Sequence, residues 1–322
     1  MSSLALKGPY WVTARQHRRA LWVAIALAVV ATAALIGSRL WSDSTVEALR
    51  AAGCAVGSTD RSCFQPEREY WDGMWMSRHL IEYTALGMLV LPGLVGAFVA
   101  GPMLARELES GTYKLAWTQS VSPARWLVAK LAVPAALVVA IVPLLSLLFS
   151  WAWRTGPAND YPTYWYDPNV FASHGVVPLA HSLLGLTVGT VVGLLVRRTV
   201  VAMGAAALVI GLALAALAWV RPGLWPVETV TGRELSLKVS DAWIVENGMV
   251  TASGERIGWD ACQTYSGESA ACMIGRGGAA DYADFHPSAH FWPLQLVETG
   301  IVLALAALAL FAAFRVLRAR HP

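Results

Sequence analysis

The hydrophobic residues of this chain lie in long unbroken runs, not at the alternating or three-to-four spacing of half-buried strands and helices. A helix needs about 20 apolar residues to cross a hydrocarbon core. Six runs approach or exceed that length, at residues 20–38, 83–105, 131–153, 176–196, 199–220 and about 291–314. Arg197 and Arg198 close the fourth, so the turn into the fifth is very short. Only Glu298 interrupts the sixth. The stretches 39–82, 154–173 and 221–293 are polar and unequal, and the last is long enough for short helices or a small cap. The pattern predicts an all-α membrane protein with six transmembrane helices and both termini on one side.

Composition narrows the class further. The 322 residues are 56% hydrophobic and 14% charged, against about 25% charged residues in soluble domains. That balance excludes a soluble enzyme, a nucleic-acid-binding module and a disordered chain. The apolar run at 20–38 exceeds a signal peptide's core of about 7–15 residues and lacks a convincing small-residue cleavage site. An uncleaved first span is expected.

The net charge of +3 hides a separation by side. With the N-terminus inside, the inner segments are 1–19, 106–130, 197–198 and 315–322. They carry 13 of the 24 Lys and Arg but just two of the 21 acids, Glu107 and Glu109. The inner side is then +11 and the outer side −8, the bias that sets orientation in a bilayer. Both termini are expected to be cytoplasmic. Cys54, Cys63, Cys262 and Cys272 all fall in the outer loops 39–82 and 221–293. Disulfides persist in oxidising space, so the pairs 54–63 and 262–272 are expected, with four free thiols as the alternative. Neither spacing is C-x-x-C, which argues against zinc.

Few polar groups lie at depth. Glu298 and His181 are candidates for a transport path, because an intramembrane acid is costly; Glu298 is also near enough to the outer end to reach the headgroups. Gly185, Gly189 and Gly193 share one helix face where another helix can approach closely, within the chain or between two chains, the former being expected. Pro92, Pro102, Pro134 and Pro143 can bend the second and third spans. Many of the 15 Trp lie near span ends, as an interfacial belt would have them.

Catalytic constellations are not found. The sequence has no G-x-x-x-x-G-K-[ST], no H-E-x-x-H and no G-x-S-x-G. His79 with Glu82, and His286 with His290, have spacings that could ligate a metal on a helix. Both pairs sit at outer span ends beside aromatics, where polar residues are expected anyway, and no residue is assigned to a metal or cofactor. Two other classes stay open: a membrane-anchored signalling or assembly protein with ligand-binding outer loops, and an intramembrane hydrolase, for which His181 with Thr187 or Thr190 lacks an acid partner.

The inner loop 106–130 is the most informative segment. Leu108, Leu115 and Trp117 offer apolar contacts, Arg106, Glu107, Glu109 and Lys114 charged ones, and Gly111 a helix end. A short helix of this kind is what a partner's groove grips; lying on anionic lipid is the alternative. Glu107, Glu109, Gly111 and Thr112, followed by Thr118, Ser122, Arg125 and Lys130, resemble the E-x-E-x-G-T…T-P-x-S-R…K segment of ABC-2-type transporter permeases. The run 115–122 with Arg125 and Trp126 is similar to a bacterial subgroup, as are Arg15–Arg18 before the first span and Phe291–Gly300 opening the sixth. The match departs at 118–122, where Gln119, Ser120 and Val121 stand for the commoner Pro-x.

The resemblance implies a six-span type V exporter-like architecture in the bacterial plasma membrane. It implies a dimer, homo- or related hetero-, served by two separately encoded ATP-binding subunits that hold ATP and magnesium. Coupling to those subunits would fall to Arg106, Glu107, Glu109, Gly111, Thr112, Lys114, Leu115 and Trp117. It further implies an amphipathic connecting helix around 7–19 and short re-entrant helices in the loop before the sixth span. The cargo would be an exported amphipathic drug, antibiotic, lipid-like compound or peptide.

Overall fold

The computed structural model describes residues 18–113, 122–154, 163–232, 241–262 and 269–320. Among these, six helical stretches are long and apolar enough to cross a membrane. The first, α1, runs Arg18–Ala51. A disulfide joins Cys54 to Cys63, and α2 follows at Phe64–Leu94. A π-helical segment, Val95–Ala100, leads without a break into α3, Gly101–Ser110. Next come α4 (Pro123–Trp153), the single turn α5 (Pro168–Phe171), α6 (Val177–Val196) and α7 (Thr199–Val220). The last long helix is Phe291–Arg320.

Hydropathy alone undercounts the first two helices. The apolar signal of α1 fades near residue 38, yet the helix continues to Ala51, and α2 begins at Phe64 where the apolar run begins near residue 83. The polar extensions form a hairpin with its own contacts. Leu49, Tyr70 and Met74 are buried together, Ser42 Oγ lies 2.6 Å from Ser77 Oγ, and Thr45 packs against Gly73.

The chain divides into two compact units. In the helical unit, α2 and α6 are the most enclosed elements: 56% and 67% of their apolar windows are buried, against 11% for α1. Their closeness is a matter of missing side chains. A Cβ on Gly189 would meet the Gly96 carbonyl at 2.5 Å, and one on Gly193 the Gly101 carbonyl at 2.6 Å; on Gly185 it would strike the Pro92 carbonyl. Gly185, Gly189 and Gly193 therefore face the second span of the same chain. Lipid is as apolar as leucine, so helices in a bilayer associate through such close packing.

The π segment sits within this contact. Pro102 has no N–H, and its ring would clash with the carbonyl four residues back in a regular helix. A wider turn just before it, in which the Gly101 N–H donates to the Gly96 carbonyl, relieves that conflict. Such π-bulges concentrate at functional sites.

The second unit, Tyr164–Tyr166 with Leu217–Glu298, corrects the all-helical reading of the loop before the last helix. Its main element is a four-stranded antiparallel sheet in the order β1-β4-β2-β3, formed by β1 (Glu228–Thr231), β2 (Trp243–Thr251), β3 (Arg256–Gly258) and β4 (Gly278–His286). Among the described residues of 221–290, helix is limited to α8 (Ser269–Gly275) and 3-10 turns; the last long helix, Phe291–Arg320, is α9. One sheet face buries Val230, Ala283 and Phe285 with Ala242. The other carries a polar network: Asp284 accepts from Thr229 Oγ1 and Arg256, and the Tyr282 hydroxyl donates to Glu246. Burial, reinforced by that carboxylate, pushes the Tyr282 phenol up to about 12. A disulfide joins Cys262, in the 3-10 turn that follows β3, to Cys272 in α8.

Candidate functional site

The residues that sequence reasoning assigned to coupling lie on α3 and just after it. Helix α3 ends because Gly111 adopts a left-handed conformation, φ 72°, the geometry glycine tolerates without penalty. Arg106, Glu109, Ser110 and Thr112 are exposed, while Glu107 and Gly111 are half-buried. Lys114, Leu115 and Trp117 lie outside the described residues, as does most of the segment 7–19.

The two acids do not face outward together. Glu107 turns back onto α4, where its Oε1 takes Lys130 Nζ at 2.5 Å and its Oε2 takes the Trp126 indole N–H at 3.0 Å. Lys130 and Trp126 are themselves buried, among Met103, Leu104 and Leu127. A lysine in that setting needs its carboxylate, because a buried unpaired charge is expensive. Helix α4 starts where it does through Ser122, whose Oγ accepts from the Arg125 N–H, and Pro123 in the first turn.

Glu109 reaches a third helix. Its Oε2 accepts the Thr199 backbone N–H at 2.9 Å and the Thr199 hydroxyl at 2.7 Å. Thr199 is the first residue of α7, so a carboxylate 90 positions upstream caps that helix and meets the positive end of its dipole. The chain reverses from α6 into α7 within two residues, and Arg197 takes a left-handed φ of 54° to do so. Three helices thus converge on α3: α4 through Glu107, α7 through Glu109, and α6 through Gly193 against Gly101 and Leu104.

Sequence reasoning missed Lys130, Trp126 and Thr199 as the partners of these acids. Lys130 carried a signal, being a lone cation next to the long apolar run of α4. Trp126, one of the tryptophans near span ends that an interfacial belt would explain, is buried instead, whereas Trp22, Trp219 and Trp292 are widely exposed.

The candidate path residues are enclosed. His181 is buried on α6. Glu298 is fully buried and accepts two hydrogen bonds from Arg221, at 2.6 Å from Nε and 3.0 Å from Nη2. Arg221 directly follows α7, and Glu298 lies two turns into α9. Their position at the facing ends of consecutive spans was the sequence clue to the pair. Among the described residues, no group of three or more His, Cys, Asp or Glu converges as a metal site.

No curated protein and no solved structure matches the chain. A family model described as "ABC-2 membrane transporter related" matches residues 18–221, which takes in α1 through α7 and the whole α3 junction. The chain therefore belongs to the ABC-2 membrane transporter related family, and is a multi-pass membrane component of ABC-type transport.

Proposed function

We propose that this chain is the permease half of an ATP-driven exporter whose ATPase is a separate chain, and that α3 is its lever. The observation that carries the reading is the three-way attachment of α3. A push on its exposed tip reaches α4 through the Glu107 contacts, α7 through the Glu109 cap and α6 through the glycine seam. Arg106, Ser110 and Thr112 leave a docking surface for the nucleotide-binding partner, with Lys114, Leu115 and Trp117 continuing it in sequence. Glu107 works behind that surface as the link to α4.

The membrane reading follows the charge separation. The +11 side, with α3, faces the cytoplasm, and the −8 side faces out. Both disulfides then lie in the oxidising compartment, which supports the same orientation. Two copies of the permease, or one and a relative, would enclose the path, and two ATP-binding subunits would supply ATP and magnesium. The chain holds no catalytic site of its own in this reading. Its cargo is an amphipathic molecule of low charge in the bacterial plasma membrane, since no basic stripe lines a span.

The test is a single cysteine at Ser110 or Thr112 in cells co-expressing an ATP-binding subunit. Crosslinking to that subunit is expected, together with loss of coupled transport in Glu107→Lys, which sets a second cation beside Lys130. Failure to retain any ATP-binding protein, or normal transport by the Glu107→Lys chain, overturns the proposal.

A further inference from the structure

The sheet unit contains two imidazoles whose arrangement the transport reading does not use. His286 ends β4 and is fully buried. His290 closes the 3-10 turn Ser288–His290, which is held by its own N–H donating to the Pro287 carbonyl at 2.9 Å. The side chain of His290 is 15% exposed, so one side of the pair opens to solvent.

Hydrogen-bond chemistry fixes the tautomer of His286. His286 Nε2 lies 2.9 Å from the Pro222 carbonyl oxygen. A carbonyl only accepts, so Nε2 carries the hydrogen and Nδ1 of the neutral ring is bare. On the other side, His290 Nε2 lies 3.5 Å from a Glu228 carboxylate oxygen, which also only accepts. The two Nδ1 atoms face each other at 3.0 Å. In the metal-free pair His290 Nδ1–H donates to the bare His286 Nδ1; a cation in place of this hydrogen would meet both Nδ1 lone pairs, with His290 carrying its hydrogen on Nε2 toward Glu228.

We propose that His286 and His290 form a two-nitrogen site for a divalent transition-metal ion. Metal–imidazole distances of about 2.0–2.1 Å and the 3.0 Å separation give a nitrogen–metal–nitrogen angle of roughly 94°. A near-right angle with nitrogen donors suits copper(II) or nickel(II). The outer nitrogen of His286 has the backbone-carbonyl partner that ligating histidines commonly have, and the Glu228 carboxylate lies 3.5 Å from that of His290. Water fills the remaining positions, as no third protein donor converges among the described residues.

Without metal, His290 Nδ1–H donates to His286 Nδ1. Metal binding moves that proton to His290 Nε2, where Glu228 accepts it, so a neutral pair releases no proton overall. The ion would clip the start of α9 to the end of β4.

The full chain, purified in detergent through a histidine-free tag and treated with chelator, is titrated with copper(II). Expected are one ion per chain by calorimetry and a copper(II) EPR spectrum with two imidazole nitrogens. Quenching of tryptophan emission is also expected, because the Trp243 ring lies 5.5 Å from His286. His290→Gln, with its fold verified by circular dichroism, should abolish the ion, and Trp243→Phe should reduce the quenching while leaving the stoichiometry at one. An unchanged stoichiometry in His290→Gln, or no binding by the unaltered chain, overturns the proposal.

Discussion

The helical unit and the sheet unit solve the same problem by opposite means. In the first, the central contact is made by removing side chains, so that backbone meets backbone along Gly185, Gly189 and Gly193. In the second, a small apolar core of Val230, Ala242, Ala283 and Phe285 is supplemented by a disulfide, a polar sheet face and the buried Arg221–Glu298 pair. The difference reflects the solvent. Among lipid tails there is no hydrophobic drive to pull helices together, and close packing has to suffice. A small unit with a thin core, by contrast, needs staples. Charge is used in the helical unit where it leaves the apolar interior, at Glu107 and Glu109, and there it joins helix ends.

If that contrast is right, breaking a staple should cost more than widening the seam. Glu298→Gln removes the carboxylate that accepts two hydrogen bonds from the buried Arg221 guanidinium, and a loss of about 3–5 kcal/mol is expected, read as a fall in the thermal unfolding midpoint in detergent. Replacing both residues with apolar ones of similar size should restore most of it. A midpoint unmoved by the single change would mean that the pair is not a staple.

The helical unit has a weak point under acid. His174 is buried beside Phe149 and Trp153, with Nδ1–H donating to the Val170 carbonyl. Burial, chiefly, and the charge of Arg154 lower its pKa to about 4, while the Val170 bond opposes the shift. The unfolded chain, near 6.5, therefore binds a proton before the folded one does. Stability is complete above pH 6.5, falls as pH drops toward 4 and levels off below, by about 3 kcal/mol in all. Unfolding midpoints of the parent and of His174→Gln across that window should converge at low pH; parallel curves would refute the assignment.

Disulfide loss follows in size. Opening the Cys262–Cys272 loop by serine replacement should cost about 2–3 kcal/mol, and hydrogen exchange should show the loosening in β2, β3 and α8 but not along α6. Uniform loosening would indicate that the two units unfold as one. Smallest is Gly189→Ala, whose added methyl forces the Gly96 backbone aside, at about 1–3 kcal/mol. Gly204→Ala has open space and should leave the midpoint unchanged or slightly raised. Equal effects at both positions would remove the seam from the account.

The six spans were legible because a bilayer writes its thickness into the chain as runs of apolar residues. The polar α1–α2 hairpin was not, since helix beyond residue 38 and before residue 83 is polar and carries no such run. The sheet was hidden for a related reason: β2, Trp243–Thr251, has bulges near Glu246 and Thr251 that spoil strict alternation. Pro92 and Pro102 announced a bend but not a π turn. The cysteine pairs 54–63 and 262–272 could be named from short separations and a shared side. At the α3 junction, sequence identified the acids Glu107 and Glu109, yet a side chain's direction depends on what lies opposite it. Lys130 and Thr199 are 23 and 90 positions away.

The cap that Glu109 places on Thr199 also bears on biogenesis. Most helices bring their first-turn acceptor with them, from the residue just ahead. Here Arg198 precedes α7 and its side chain offers no acceptor, only its carbonyl taking the Ala202 N–H, and the Glu109 carboxylate is made earlier on the ribosome. Glu109 is synthesised 90 residues before Thr199, so the acceptor exists before the helix start that it caps. Protection of the Thr199 amide from exchange then reports the docking of α3 on α7, two elements far apart in the chain.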